Sequence, residues 1–203
     1  ILYDVAPIIL RQAEKLHAEG FPVASVIRRS PNLSSAYTQD DVFFRDVLCR
    51  LAKEGRRRVL LTVHSDPVRA GLLHKAVADA CREDGIRERE LTLIEESEPL
   101  EKFASLLKRT TFDAVIFYPF NRAVYNMLAE SVDLNEACRI VIQSESNHRE
   151  LNFCGLVIMN HLDQAASLLN DNLLQQCRTP ETPVIQIKIP YTIAEFVNGQ
   201  KIS

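Results

Sequence analysis

The sequence predicts an α/β fold with largely parallel sheets, on three observations. Short apolar runs of strand type alternate with longer stretches of helical periodicity along the whole chain. Helix starts marked by Pro, Ser or Asp and stops marked by Gly recur between them. At 203 residues, 46% hydrophobic and 25% charged, the chain is long and apolar enough to bury a sizeable core.

Ile1-Leu2-Tyr3 reads as the tail of an apolar strand. Pro7 opens a helix to Glu19 that places Ile8, Ile9, Ala13 and Leu16 inward, with Gly20 as its left-handed stop. Phe21 to Ile27 is a buried strand, and the Ser-, Asn- and Pro-rich residues 28 to 39 are a connection. A helix from Asp40 to Glu54 carries Val42, Phe43, Val47, Leu48 and Leu51 on one face; Gly55 ends it before a strand at Arg58 to Val63. Ser65-Asp66-Pro67 starts a helix to Asp84, since a side-chain acceptor caps free N–H groups and Pro in the first turn forfeits no bond. Strands at Leu91 to Glu95, Phe112 to Tyr118 and Arg139 to Gln143 alternate with helices at Pro99 to Arg109 and Asn121 to Ser131. A polar connection at 144 to 150 leads to a strand at Leu151 to Met159 and a helix from His161 to Arg178. After a second connection at 179 to 183, Val184 to Ile189 forms the last strand, and the tail beyond Tyr191 reads as weakly structured.

Composition excludes several functions. With 24 Lys plus Arg against 27 Asp plus Glu, the net charge of -3 supplies no basic field for nucleic acid. Apolar runs such as Leu156 to Met159 fall far short of the roughly 20 residues that cross a bilayer. The glycines, at 20, 55, 71, 85, 155 and 199, stand too far apart for a P-loop, a dinucleotide fingerprint or a nucleophile elbow, each of which needs close-set glycines for a tight turn. The five cysteines, at 49, 81, 138, 154 and 177, form no C-x-x-C pair, read as buried hydrophobes and indicate a reducing cytosol. His17, His64, His74, His148 and His161 show no spacing suited to a metal, so neither metal nor cofactor is expected. His64, Ser65 and Asp66 cannot act as a triad, because three consecutive residues do not reach the required mutual geometry.

Four stretches resemble the effector-binding domain of LacI/GalR-type transcription regulators, which shares its fold with periplasmic sugar-binding proteins. Ala18 to Val26 (AEGFPVASV) resembles the family's Gly-aliphatic-Pro-Val strand, and Leu51 to Val59 (LAKEGRRRV) its L-x-x-x-G-H-R-R-I segment. Asp66 to Leu72 (DPVRAGL) resembles its R-x-G-F, and Asp113 to Phe117 with Ala123 its D-A-V-F-x and downstream Ala. The order of elements from Arg139 to Ile189 also follows the family, so the resemblance spans essentially the whole chain. GntR-type regulators that carry the same domain fit equally.

The resemblance implies a two-lobed, periplasmic-binding-protein-like α/β fold with three crossovers, near residues 30 to 39, 143 to 150 and 179 to 183. Residues 1–38 plus 151–178 would form the N-terminal lobe, its opening βα units missing, and 39–150 plus 179–203 the C-terminal lobe. It further implies a small-molecule effector, a sugar or sugar derivative, bound in the interlobe cleft, lobe closure coupled to a DNA-binding headpiece absent from this chain, a homodimer and a cytoplasmic site of action. Helices Asp66 to Asp84 and Asn121 to Ser131 would supply the dimer face.

Ligands in such lobes gather outside the carboxyl ends of strands, which singles out five residues. Arg69 matches the family's effector-contacting Arg, and its guanidinium can fork two bonds to hydroxyls or a carboxylate. Glu145 stands where the family has an Asp on the second crossover. Phe120, with Pro119, replaces the family's Asn-Asp pair and favours a ligand with a stackable face. Arg28 departs from the family's acid or aromatic residue and with Arg69 suits an anionic ligand. His64 follows a strand and faces the cleft. Each has a plain structural reading too: helix-start Arg, solvated loop acid, core aromatic, connection charge, capped turn. The expectation is binding without catalysis, the alternatives being a transporter's solute-binding protein or an enzyme acting on a sugar phosphate or nucleotide.

Overall fold

The structure, a computed structural model, describes residues 1–83, 86–87, 90–131, 138–143, 153–197 and 200–202. In chain order its elements are β1 (Leu2–Tyr3), α1 (Pro7–Ala18), β2 (Ala24–Ile27), β3 (Ser34–Tyr37), α2 (Asp40–Lys53), β4 (Val59–Val63), α3 (Pro67–Glu83), β5 (Leu91–Glu95) and α4 (Leu100–Arg109). There follow β6 (Ala114–Phe117), α5 (Arg122–Ser131), β7 (Arg139–Gln143), β8 (Gly155–Asn160), α6 (Leu162–Arg178), β9 (Gln186–Lys188), β10 (Tyr191–Val197) and β11 (Gln200–Lys201). The chain divides into two compact units, residues 1–39 with 160–191 and residues 40–159 with 192–203. None of the helices described is long and apolar enough to cross a membrane.

The first unit holds a sheet of order β1-β2-β3-β9 with every pair parallel. Helix α6 covers one face, packing Ala165 and Leu169 against Ala24, Val26, Ala36 and Ile189. Strand β3 lies inside residues 28 to 39, expected to be a connection. Its polar composition hides a strand whose side chains are satisfied internally: the buried Ser34 hydroxyl donates to Asn172 Oδ1 at 2.5 Å and accepts from Gln176 Nε2 and the Ile185 N–H, each at 3.2 Å.

Helix α1 forms where expected but turns a different face inward. Ile8, Ile9 and Leu16 are 61%, 47% and 48% exposed, while Ala13 is buried and Glu14 accepts a 2.6 Å bond from the Ser30 hydroxyl. A small residue lets the helix sit close; the bulky apolar ones do not carry its packing. Gly20, at φ +96°, ends the helix in the left-handed conformation that its lack of a Cβ permits.

The second unit holds a seven-stranded sheet of order β11-β10-β8-β7-β6-β4-β5, parallel from β8 through β5. Its central strands are apolar on both sides, as parallel sheets covered on two faces require. Leu60, Val115, Phe117, Ile140, Ile142 and Val157 face a core closed by Phe103, Val124, Tyr125 and Leu128 of α4 and α5.

Two expected lobe boundaries are corrected. Strand β8 was expected in the N-terminal lobe, but it pairs in parallel with β7, Ile140 opposite Gly155 and Ile142 opposite Val157, so the chain leaves the second unit after Met159 and not at 143 to 150. Strand β9 was expected in the C-terminal lobe, but it pairs with β3, Ala36 opposite Ile187, so residues 179–191 belong to the first unit and the third crossing follows Tyr191. The tail is ordered structure: β10 and β11 form an antiparallel pair, and β10 lies beside β8.

Four charged side chains tie α2, β7 and β10 together. Arg50 pairs with Glu54 at 3.2 Å and with Glu195 at 2.9 Å; Arg139 pairs with Glu54 at 3.5 Å and with the other oxygen of Glu195. The hydrogen bond from Arg139, then the charges of Arg139 and Arg50, hold the Glu195 carboxyl below the usual range against the opposing effect of burial. A folded-state value below the unfolded one means that the stabilisation is complete above the ordinary Glu value of about 4.3 and is lost as pH falls through the folded-state value. Glu195→Gln is therefore expected to lower stability at pH 7 and to leave it less steeply dependent on pH in acid, read from urea midpoints at pH 7 and pH 3.5. Equal losses at both pH values would contradict the linkage.

Candidate functional site

In the second unit the chain leaves β4 through α3 to β5 on one side and leaves β6 through α5 to β7 on the other, while β4 and β6 are neighbours. Their carboxyl ends therefore flank a topological switch point, where open α/β sheets bind ligands. The residues there are His64-Ser65-Asp66 after β4 and Tyr118-Pro119-Phe120-Asn121 after β6, with Glu96 after β5.

The turn after β4 is built by local polar bonds. The Asp66 carboxylate accepts from the Val68 N–H at 2.9 Å and the Arg69 N–H at 3.3 Å, the cap expected from Ser65-Asp66-Pro67. Arg69 is half-buried in the first turn of α3. Glu96 reaches across from β5, accepting from the Ser65 N–H and hydroxyl, each at 2.8 Å. His64 Nδ1 accepts from the Asp66 N–H at 2.9 Å and lies 3.2 Å from the same Glu96 oxygen.

The turn after β6 rests on Thr62 of β4, whose hydroxyl accepts from the Tyr118 N–H at 2.7 Å; the Tyr118–Pro119 peptide is cis. Tyr118, 1% exposed, stands edge-on to His64 at 5.9 Å and to Phe44 at 4.6 Å, and its hydroxyl donates to Oδ2 of Asp40. Asp40, the first residue of α2, is 4% exposed, and its other oxygen, Oδ1, is buried with no hydrogen-bond partner among the described residues. A buried acceptor left in that condition is costly unless a donor such as water or a ligand reaches it.

Of the five expected residues, His64, Arg69 and Phe120 stand on the carboxyl edge of this sheet. Phe120 packs against Phe117 at 5.4 Å and Tyr125 at 5.7 Å, so its ring also completes the core. Arg28 belongs to the first unit, after β2, where it pairs with Asp4 at 3.4 Å beyond β1; Ile27, at φ +77°, and Asp4, at φ +41°, both take the left-handed conformation beside that pair. Glu145 lies outside the described residues. Asp40, Glu96 and Tyr118 complete the constellation without having been singled out in the sequence. Asp40 looks like an ordinary acid at a helix start, and its burial depends on Tyr118, 78 residues away.

None of the five cysteines forms a disulfide, and the sites differ: Cys138 and Cys154 are buried, Cys49 and Cys81 half-buried. Burial pushes the Cys138 thiol up to about 12, which makes it an inert core group. Cys177 is exposed at the end of α6, contrary to its expected burial, because it lies off the stripe of Ala165, Leu169, Asn172 and Gln176 that the helix buries.

No protein-family model matches the chain, and no curated protein matches it. Solved structures do. A LacI-family regulator from Enterococcus faecium with bound ribose aligns with 96% of this chain and 76% of its own at 14% identity and TM-score 0.76. A periplasmic binding protein/LacI regulator from Alkaliphilus metalliredigens complexed with D-xylulofuranose aligns with 87% and 70% at 15% identity and TM-score 0.67. A sugar-binding LacI-family regulator from Escherichia coli complexed with phosphate aligns with 97% and 76% at 14% identity and TM-score 0.70. The fold is thus the α/β class of periplasmic binding proteins. Within that class, several of the structures it is similar to are LacI-family transcription regulators.

Proposed function

We propose that this chain is the small-molecule-sensing domain of a bacterial transcription regulator, binding without catalysis a sugar or sugar derivative. The observation that carries the reading is the switch-point constellation of the second unit, in which Tyr118 contacts both His64 and buried Asp40, whose second carboxylate oxygen has no partner among the described residues. A carboxylate acceptor is what a ligand hydroxyl bonds best, and such charge-assisted bonds are stronger than neutral ones. Arg69, Arg28, Phe120 and Glu145 are further ligand contacts in this reading. Its wider elements are those the resemblance implies: ligand held across the two lobes, closure re-aiming a DNA-binding headpiece, a homodimer, and action in the cytoplasm.

A thermal-shift screen with D-ribose, D-xylulose, sugar acids, sugar phosphates and purines tests it. Whatever binds the native state adds about 2.7 kcal/mol of stabilisation at a hundredfold excess over Kd, and so raises the melting temperature. A shift from one ligand class that is lost in Arg69→Ala is expected. Shifts from no compound, or a shift that survives both Arg69→Ala and Asp40→Ala, would overturn the reading.

A further inference from the structure

One nitrogen of His64 is placed where it serves two incompatible partners. Nδ1 lies 2.9 Å from the Asp66 N–H, which needs a lone pair, and 3.2 Å from Glu96 Oε1, which needs a proton. A ring nitrogen offers one or the other. We propose that His64 is a proton-linked latch on the turn that starts α3, holding the Asp66 N–H when neutral and turning to Glu96 when protonated, with Nε2 carrying an N–H in both states. The link to ligand binding rests on the proposed sensing function; the latch itself does not.

The surroundings are consistent with two settled states. In the neutral ring, the Asp66 N–H fixes the tautomer by taking the Nδ1 lone pair, so the proton sits on Nε2. Nε2 makes no hydrogen bond to any described group, and the side chain is 20% exposed. When a proton is taken up at Nδ1, the Asp66 N–H loses its acceptor and the new N–H donates to Glu96, a charge-assisted bond. Glu96 is held in position for this by the Ser65 N–H and hydroxyl.

Among the described residues, charged and titratable groups meet the ring from three elements. Asp66 comes from the start of α3, where Arg69 stands in the first turn, Glu96 from the turn after β5, and Tyr118 from the end of β6, its hydroxyl engaged by Asp40 of α2. Because Asp66 also caps α3, and Arg69 stands in its first turn, release of the Asp66 N–H reaches the ligand-binding Arg directly.

Nitrogen-15 NMR of the ligand-free full chain tests the latch. At pH 8 the His64 ring is expected as the Nε2–H tautomer. On acidification to pH 5.5 the Asp66 amide signal should move and lose exchange protection with the same midpoint as the ring, and a slowly exchanging Nδ1–H should emerge that is absent from Glu96→Ala. In His64→Asn, whose side-chain oxygen takes the place of Nδ1 and does not titrate, the Asp66 amide should stay unchanged across the range. A ring protonated on Nδ1 at pH 8, or an Asp66 amide indifferent to the ring's titration, overturns the proposal. No ligand enters this experiment, so its failure is separable from failure of the sensing function, which the thermal screen decides.

Discussion

Gly155→Ala is expected to destabilise the second unit by more than about 3 kcal/mol, the upper end of the usual overpacking range. A Cβ on residue 155 would lie 1.9 Å from the carbonyl oxygen of Ile140, 2.8 Å from its carbon and 2.8 Å from Phe153 Cδ2. Two of those three neighbours are backbone of β7, the parallel partner of β8, so no side-chain rotation relieves them. The strand must move off its neighbour, and the register from Ile140–Gly155 to Gln143–Ile158 goes with it. Phe153 is fully buried and stacks on Phe196 of β10 at 6.4 Å, so the displacement spreads to the next strand. At about 2–4 °C per kcal/mol for a chain of this size, a fall in Tm of roughly 6–12 °C is expected. Gly71→Ala provides the contrast: that glycine is helical with nothing within 4 Å of a built Cβ, and the substitution should stabilise by about 0.5–1 kcal/mol. Similar effects at the two sites would mean that β8 does not approach β7 as closely as described.

The same strand shows where sequence reading succeeds and where it stops. The run Leu151–Met159 is largely apolar and follows the polar residues 144–150, so a buried strand was legible; which sheet receives it was not, because a run apolar on both faces fits any parallel neighbour. Assignment to the second unit follows only from pairing with β7. Strand β3 was hidden for the opposite reason. Ser34 and Ser35 carry no apolar alternation, and their burial is made possible by Asn172, Gln176 and Ser30, partners that spacing does not reveal. In α1 the periodicity located the helix but misled about its face, since Ala13 and not Ile8, Ile9 or Leu16 is the buried residue.

The site was legible in the same partial way. The turn His64-Ser65-Asp66-Pro67 announces itself through its capping chemistry, and it does place His64 and Arg69 at the carboxyl edge of the sheet. The acids that shape the crevice did not announce themselves. Glu96 belongs to a different βα turn, and only the adjacency of β4 and β5 brings it to Ser65 and His64. Asp40 needed both the start of α2 and the end of β6 to be placed before its burial could be known.

The pair of Asp40 and Tyr118 carries the second large effect. Tyr118→Phe removes the donor to Asp40 Oδ2 and leaves a 4% exposed carboxylate whose Oδ1 already lacks a partner, with no described group bonding either oxygen. Stranding a buried carboxylate costs more than the ~1–3 kcal/mol of a stranded neutral group, because it keeps its larger desolvation without its bond. Asp40→Ala strands only a neutral hydroxyl, costing about 1–3 kcal/mol. The double variant Tyr118→Phe with Asp40→Ala should then be more stable than the sum of the two by about 1–3 kcal/mol, since neither group is left to be satisfied. Additive losses in urea denaturation would show that the two do not act as a pair. Ligand response separates the roles further. If Oδ1 receives a ligand hydroxyl, Asp40→Ala abolishes the thermal shift in whichever sugar gives one, whereas Tyr118→Phe lowers the starting melting temperature yet retains a shift, because the oxygen that meets the ligand is still there. Loss of the shift in both variants alike would assign Asp40 to the support of the fold and move the ligand toward Arg69 and His64.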